Sequence, residues 1–254
     1  MKVIALYNIK GGVGKTASAV NLAYLASRSG ANTLIWDLDP QAAATYYLRT
    51  KPKVKGGAKG LIKKKYDLDT LIRGTEYDNL DLLPADFSYR NLSLILDRQK
   101  KSGKQIDRLV RPLAQTYSHL FIDCPAGISL ISENVFRAID VLLIPLIPTT
   151  LSLHTLKQIE SYLVRNILPK KRLQVITFFC MFDRRKKLHR DIYAQATENM
   201  ATQMLRTAIP YASMVEQMGL YRAPLPVYSR KSLPAMAYEH LWSELLACMG
   251  SADI

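Results

Sequence analysis

Cysteine is scarce. Cys124, Cys180 and Cys248 are widely spaced, with no histidine close in sequence, so neither a zinc or iron–sulfur spacing nor a disulfide framework can be read from them. All three read as small apolar core residues. No apolar run reaches the roughly 20 residues needed to span a bilayer. The opening run, Met1 to Tyr7, is too short for a signal peptide and lacks a small-residue cleavage site, so a cytoplasmic protein is expected. Acidic residues are also few: 21 Asp and Glu against 35 Lys and Arg leave a formal charge of +14, which favours polyanionic partners and says nothing about fold. From Arg49 to Lys65 there is no acidic residue at all, only Arg49, Lys51, Lys53, Lys55, Lys59, Lys63, Lys64 and Lys65 among Gly56, Gly57 and Gly60. That stretch, 49–65, reads as a basic, exposed and mobile insertion. Conversely, Tyr238 to Ile254 contains Glu239, Glu244 and Asp253 but no Lys or Arg, the wrong sign for a helix lying on anionic lipid. No long extension precedes the first strand, so no helix-turn-helix domain is expected.

What is present is an α/β pattern. Short apolar runs, Val3 to Ile9, Thr33 to Asp37, Leu80 to Leu83, His119 to Asp123, Val141 to Pro145 and Leu173 to Phe179, alternate with helical stretches such as Lys15 to Ser29 and Thr150 to Ile167. Buried strands separated by helices predict βαβ units, a mostly parallel twisted sheet flanked by helices, and ligands at the carboxyl ends of the strands. With 254 residues, 48% of them hydrophobic, one domain over 1–254 is favoured. Leu241, Leu245 and Met249 recur at helical spacing in Leu233 to Met249, which reads as a packing helix.

Lys10-Gly11-Gly12-Val13-Gly14-Lys15-Thr16 follows the first strand and opens the first helix, where a phosphate-binding loop must lie. Glycines let the backbone close round phosphates, and the loop N–H groups and helix N-terminus supply positive potential. Lys15 can reach the β- and γ-phosphates, and Thr16 offers a hydroxyl to Mg²⁺. Asp37 and Asp39, in Trp36-Asp37-Leu38-Asp39-Pro40-Gln41, end the second strand. Asp123 ends the apolar run His119-Leu120-Phe121-Ile122-Asp123, which has the Walker B shape.

Lys10 stands where an ordinary P-loop has a plain residue, and the loop resembles the deviant Walker A box, KGGxxK[TS], of the ParA/MinD superfamily. The resemblance covers nearly the whole chain: Asp37 to Gln41 is similar to the DxDPQ box of ParA proteins, Met181-Phe182-Asp183-Arg184 to M[YF]DxR, and the segment from Ile209-Pro210 to Tyr238 to the ParA/Soj C-terminal pattern. Pro125-Ala126-Gly127 looks more like the MinD version of Walker B. The resemblance implies an ATPase with ATP and Mg²⁺ as cofactors and a homodimer holding ATP at its interface, with Lys10 serving the neighbouring subunit's phosphates. It further implies that Asp39 positions the attacking water beside the catalytic Lys10 and Lys15, and that Asp37 and Asp123 hold the Mg²⁺ shell with Thr16. Phe182, Asp183 and Pro210 would lie near the adenine. Ala17 closes the cofactor-binding set, without the hydroxyl of the second Thr or Ser common there.

ParA-like proteins bind non-specific DNA and act with a ParB-like or other cargo adaptor. The cations matched to that role are Arg184, Arg185, Lys186, Lys187, Arg190, Arg206, Arg222, Arg230 and Lys231. Two alternatives stand beside it: a MinD-like membrane ATPase, disfavoured by the acidic tail, and a metabolic P-loop enzyme. Of the latter, a nitrogenase-reductase-like protein needs cluster cysteines, and a dethiobiotin synthetase would not explain the cationic excess.

Overall fold

The computed structural model describes residues 1–169, 171–199 and 202–250. Its eight strands are β1 (Lys2–Leu6), β2 (Thr33–Asp37), β3 (Arg73–Gly74), β4 (Leu80–Leu83), β5 (His119–Asp123), β6 (Val141–Leu146), β7 (Gln174–Phe179) and β8 (Gln203–Met204). They form one sheet in the order β3-β4-β2-β5-β1-β6-β7-β8, parallel throughout except for the antiparallel β3–β4 edge. The expected α/β architecture with a mostly parallel sheet is therefore present. β1 sits between β5 and β6, and β5 also pairs with β2, with Leu6 and Asp37 both in register with Asp123. That register brings the ends of three strands level at the carboxyl edge, where a parallel sheet presents its ligand site.

Alternation along β1 feeds two cores. Val3, Ala5 and Tyr7 pack on one face with Trp36 and Ile122, while Ile4 and Leu6 pack on the other with Ile35 and Phe121. Helices α1 (Lys15–Arg28), α2 (Ala43–Tyr47), α3 (Gly57–Ile62), α4 (Leu92–Asp97), α5 (Gln105–Leu113), α6 (Leu130–Ala138) and α7 (Thr150–Asn166) are followed by α8 (Lys187–Asn199). The last four are α9 (Ser213–Glu216), α10 (Met218–Tyr221), α11 (Leu225–Tyr228) and α12 (Leu233–Gly250). Leu22 and Ala26 of α1 and Leu241, Leu245 and Met249 of α12 join the Ile4 face; residues of α3 to α8 cover the other.

Three expectations need correction. The basic stretch 49–65 is not simply an exposed insertion: Val54, Ala58, Leu61 and Ile62 are buried in the core, and α3 runs through it. Those four residues recur at helical spacing between the lysines. Asp86 Oδ2 accepts from Val54 N at 2.9 Å and Ser88 Oγ from Ala58 N at 2.7 Å, which ties the segment down. Cys124 and Cys180 are buried as expected, but Cys248 is only half-buried. β1 ends at Leu6, so Ile9 belongs to the loop rather than the strand. Among the described residues no helix is long and apolar enough to cross a membrane. Asp253, counted in the tail's charge, lies outside the described residues.

Candidate nucleotide site

Beyond β1 the chain is pinned before it turns. Buried Asn8 donates Nδ2 to Pro145 O at the end of β6 (2.8 Å), and its Oδ1 accepts from Lys10 N at 2.9 Å. Gly12 and Gly14 take positive φ, 71° and 89°, which a residue with a side chain adopts only under strain. A Cβ on Gly14 would stand 3.2 Å from Cys180 Sγ, whereas at Gly11 and Gly12 it would meet nothing within 4 Å. The loop is thus tight underneath and open above. α1 has no side-chain cap, so its first N–H groups lack the side-chain partner that usually satisfies them and can serve an anion.

Lys15 is only 7% exposed, and its Nζ donates to Lys10 O at 3.1 Å. Burial pushes its pKa down, partly offset by Asp123, Cys124 and Asp39. Asp37 is buried: Oδ2 accepts from Thr45 N (2.8 Å) and Thr45 Oγ1 (2.7 Å), Oδ1 accepts from Asp39 N (3.1 Å), and burial still raises it to about 6. Asp39 is half-exposed, its Oδ1 accepting from Gln41 N at 2.9 Å. Asp123 is the outlier. It is fully buried and neither carboxylate oxygen has a hydrogen-bond partner. Burial, reinforced by Asp37, pushes it well above the usual carboxylate range, while Thr16 and Lys15 pull the other way.

Buried carboxylates without partners are rare, and one beside a lysine and a threonine fits a hydrated divalent cation. Among the described residues no three His, Cys, Asp or Glu side chains converge as a self-sufficient metal cage. Thr16, Asp37 and Asp123 fit the other mode, in which Mg²⁺ keeps several waters and takes phosphate oxygens as well.

Beside the loop, Met181, Pro210, Tyr211, Ala212 and Val215 line a mainly apolar recess with Gly14 and Ala17. Of the three residues expected near the adenine, Pro210 lines this recess and Phe182 and Asp183 do not. Phe182 packs its ring on Tyr193 (5.3 Å between centroids), and Asp183 is held by Arg185 at 3.0 Å, whose hydrogen bonds pull its carboxyl to about 2. Phe182 contributes through its backbone: its N–H donates to Ile209 O and its O accepts from Tyr211 N, both 3.0 Å, which splices the two walls together. Met181 belongs to the M[YF]DxR-like segment, while Tyr211, Ala212 and Val215 were not singled out in the sequence; the apolar residues flanking Pro210 were the available signal.

The cations divide similarly. Arg184, Arg185, Lys186, Lys187 and Arg190 are exposed together at the start of α8, where Arg190 Nη1 donates to Arg184 O at 2.7 Å; Arg206, Arg230 and Lys231 are exposed elsewhere. Arg222 does not join them. It is half-buried, donates Nε to Tyr46 O at 3.1 Å, stacks its guanidinium 4.5 Å from the Tyr46 ring, and accepts from Arg49 Nε at 3.1 Å. It ties α10 to α2 instead.

A glycine loop between β1 and α1, with an acidic strand end beside it, defines a P-loop nucleotide-binding protein. A family model described as an AAA domain matches residues 1–175. The chain is 28% identical to the chromosome-partitioning ATPase Soj of Treponema pallidum over 97% of each chain. Among solved structures, an ATP complex of a Cyanothece McdA variant superposes with a TM-score of 0.83 at 22% identity, over 96% of each chain. Cobyrinic acid a,c-diamide synthase from Mycobacterium smegmatis, with bound ADP and magnesium, gives 0.81 at 22%, over 99% and 96%. The chain belongs to this AAA-domain family and is a P-loop ATPase of the ParA/MinD superfamily.

Proposed function

We propose that this protein is a ParA-like ATPase that dimerises around ATP and Mg²⁺, holds non-specific DNA in that state, and positions a cargo with a partner protein that stimulates hydrolysis. The observation that carries this reading is the pairing of a two-lysine phosphate cradle with the orphaned carboxylate of Asp123. Lys15 and the loop N–H groups bind the phosphates; Thr16, Asp37 and Asp123 would hold the cation, which when bound would supply positive charge to the phosphate oxygens. Asp39, the most accessible of the three carboxylates, orients the attacking water. Lys10 is fixed by its own main chain, N–H to Asn8 and C=O to Lys15, and its side chain serves the neighbouring subunit in the manner of an arginine finger. Met181, Pro210 and Tyr211 receive the base. The exposed Arg184–Arg190 cluster, with Arg206, Arg230 and Lys231, meets the phosphate backbone, and the ATP-bound dimer doubles that surface on the nucleoid. A ParB-like or other adaptor then triggers hydrolysis and release.

A salt titration of duplex DNA binding in ATP against ADP checks the gate. The ATP state is expected to bind, and to lose on the order of a thousandfold in affinity over a few-fold rise in salt if about five to eight phosphates are engaged. Equal, salt-insensitive retention in both states contradicts the gate.

A further inference from the structure

The cationic excess extends well beyond the start of α8. Lys104, Arg108 and Arg111 follow one another at intervals of four and three, forming one stripe along α5, while Ile106, Leu109, Val110 and Leu113 bury its other side. Lys64, just past the end of α3, lies against this stripe, its Nζ donating to Arg108 O at 2.9 Å. On the opposite flank the stripe borders a cleft of about 320 Å³ into which Arg137 and Lys171 also project. The Arg137 guanidinium lies close over Gly103 in the turn at 102–104, where a Cβ would oblige it to move aside. Lys171 Nζ donates to Arg137 O at 3.2 Å.

The acidic groups facing these cations are few. Asp107 is paired with Arg111 at 2.8 Å, and Asp140 faces Lys171 but its Oδ2 also accepts from Val3 N at 2.9 Å. Asp67 and Asp69 share a neighbouring recess with Lys64. Lys104, Arg111, Arg137 and Lys171 border that one cleft, whereas Arg108 and Lys64 lie outside it, so the cationic surface is longer than a pocket for a small anion. Lys104, Arg108 and Arg111 run in line along α5, which spans nine residues, or about 14 Å, a length over which duplex DNA carries about eight phosphates.

We propose that the strip formed by Lys64, Arg108, Arg111, Lys104, Arg137 and Lys171 is a second DNA surface, separate from the Arg184–Arg190 cluster, that grips the sugar–phosphate backbone without reading sequence. The proposal rests on the reading that the ATP-bound protein holds DNA. It gives α3, and the basic segment carrying it, a reason to be folded: the buried Ala58 and Leu61 present Lys64 to α5 in a fixed position. Contacts of this kind are electrostatic, so each one lost removes about 0.9 from the slope of log affinity against log salt.

The test compares the full-length wild type with Lys64→Gln/Lys104→Gln/Arg108→Gln/Arg111→Gln on a labelled duplex of random sequence, with ATP and Mg²⁺, across a salt series. The slope is expected to shrink by about three and a half, with an affinity loss of at least tenfold at low salt. DNA-free ATP hydrolysis and the melting midpoint should stay at wild-type values. Lys64→Gln/Lys104→Gln, which leaves the Asp107–Arg111 pair intact, serves if the quadruple variant folds poorly and should lose about two units of slope; Lys64→Arg/Lys104→Arg should bind like wild type. Wild-type affinity and slope in the glutamine variants overturn the strip while leaving DNA binding in place. Wild-type protein that ignores DNA in ATP overturns the underlying reading instead, and the strip with it. Saturable binding of inorganic phosphate that the glutamines abolish, with DNA affinity unchanged, also overturns the proposal by marking a small-anion site.

Discussion

Lys15→Ala protein is expected to lose ATP retention by about 30-fold to several thousandfold, the range for removing one member of a buried charge pair. Lys15 is buried at the root of α1, yet its ammonium is only partly compensated: it bonds to the Lys10 carbonyl and has Asp123 and Asp39 as counter-charges. Keeping a cation in such a place costs stability unless a denser anion arrives, and a triphosphate supplies one. Equilibrium binding of a fluorescent ATP analogue measures the loss. Alanine protein that binds the analogue like wild type contradicts the assignment of the loop.

Asp39→Ala is expected to lower steady-state hydrolysis by about 10²- to 10⁴-fold, the usual contribution of a positioned proton acceptor, while ATP and DNA binding persist. The three carboxylates of the site are differently engaged, which is why one of them can be removed for catalysis alone. Asp37 is bound on both oxygens by Thr45 and by the Asp39 N–H, and its loss would loosen α2. Asp123 is sealed at the strand end with neither oxygen hydrogen-bonded. Asp39 is the partly exposed member, held through Gln41 at the mouth of the site. Hydrolysis at the wild-type rate by the alanine protein contradicts its role; simultaneous loss of ATP binding would assign it to the cation instead.

The sheet was legible because its central strands are buried on both faces and read as unbroken apolar runs; β2, β4 and β5 begin and end where their sequences do. The placement of the glycine loop between β1 and α1 and of Asp37 and Asp123 at strand ends was legible for a related reason: a parallel sheet puts its ligand at strand ends, so the residue closing each run is the one to inspect. What escaped was short or non-local. β3 and β8 have two residues each, too few for any periodicity. α3 was hidden because lysines outnumber the four apolar residues that bury it. The recess beside the loop depends on the bridge between Phe182 and Pro210, and the engagement of Arg222 depends on Tyr46 and Arg49 far away in sequence. No local pattern encodes either contact.

In the proposed cycle the first lysine of the loop acts across a subunit boundary, and sedimentation of wild type and Lys10→Ala with a non-hydrolysable ATP analogue and Mg²⁺, or with ADP, measures that most directly. Wild type should sediment at twice the chain mass with the analogue and as a single chain with ADP, and Lys10→Ala should remain a single chain in both while still binding the analogue. A Lys10→Ala protein that pairs as readily as wild type, or a wild type whose mass ignores the nucleotide, contradicts it.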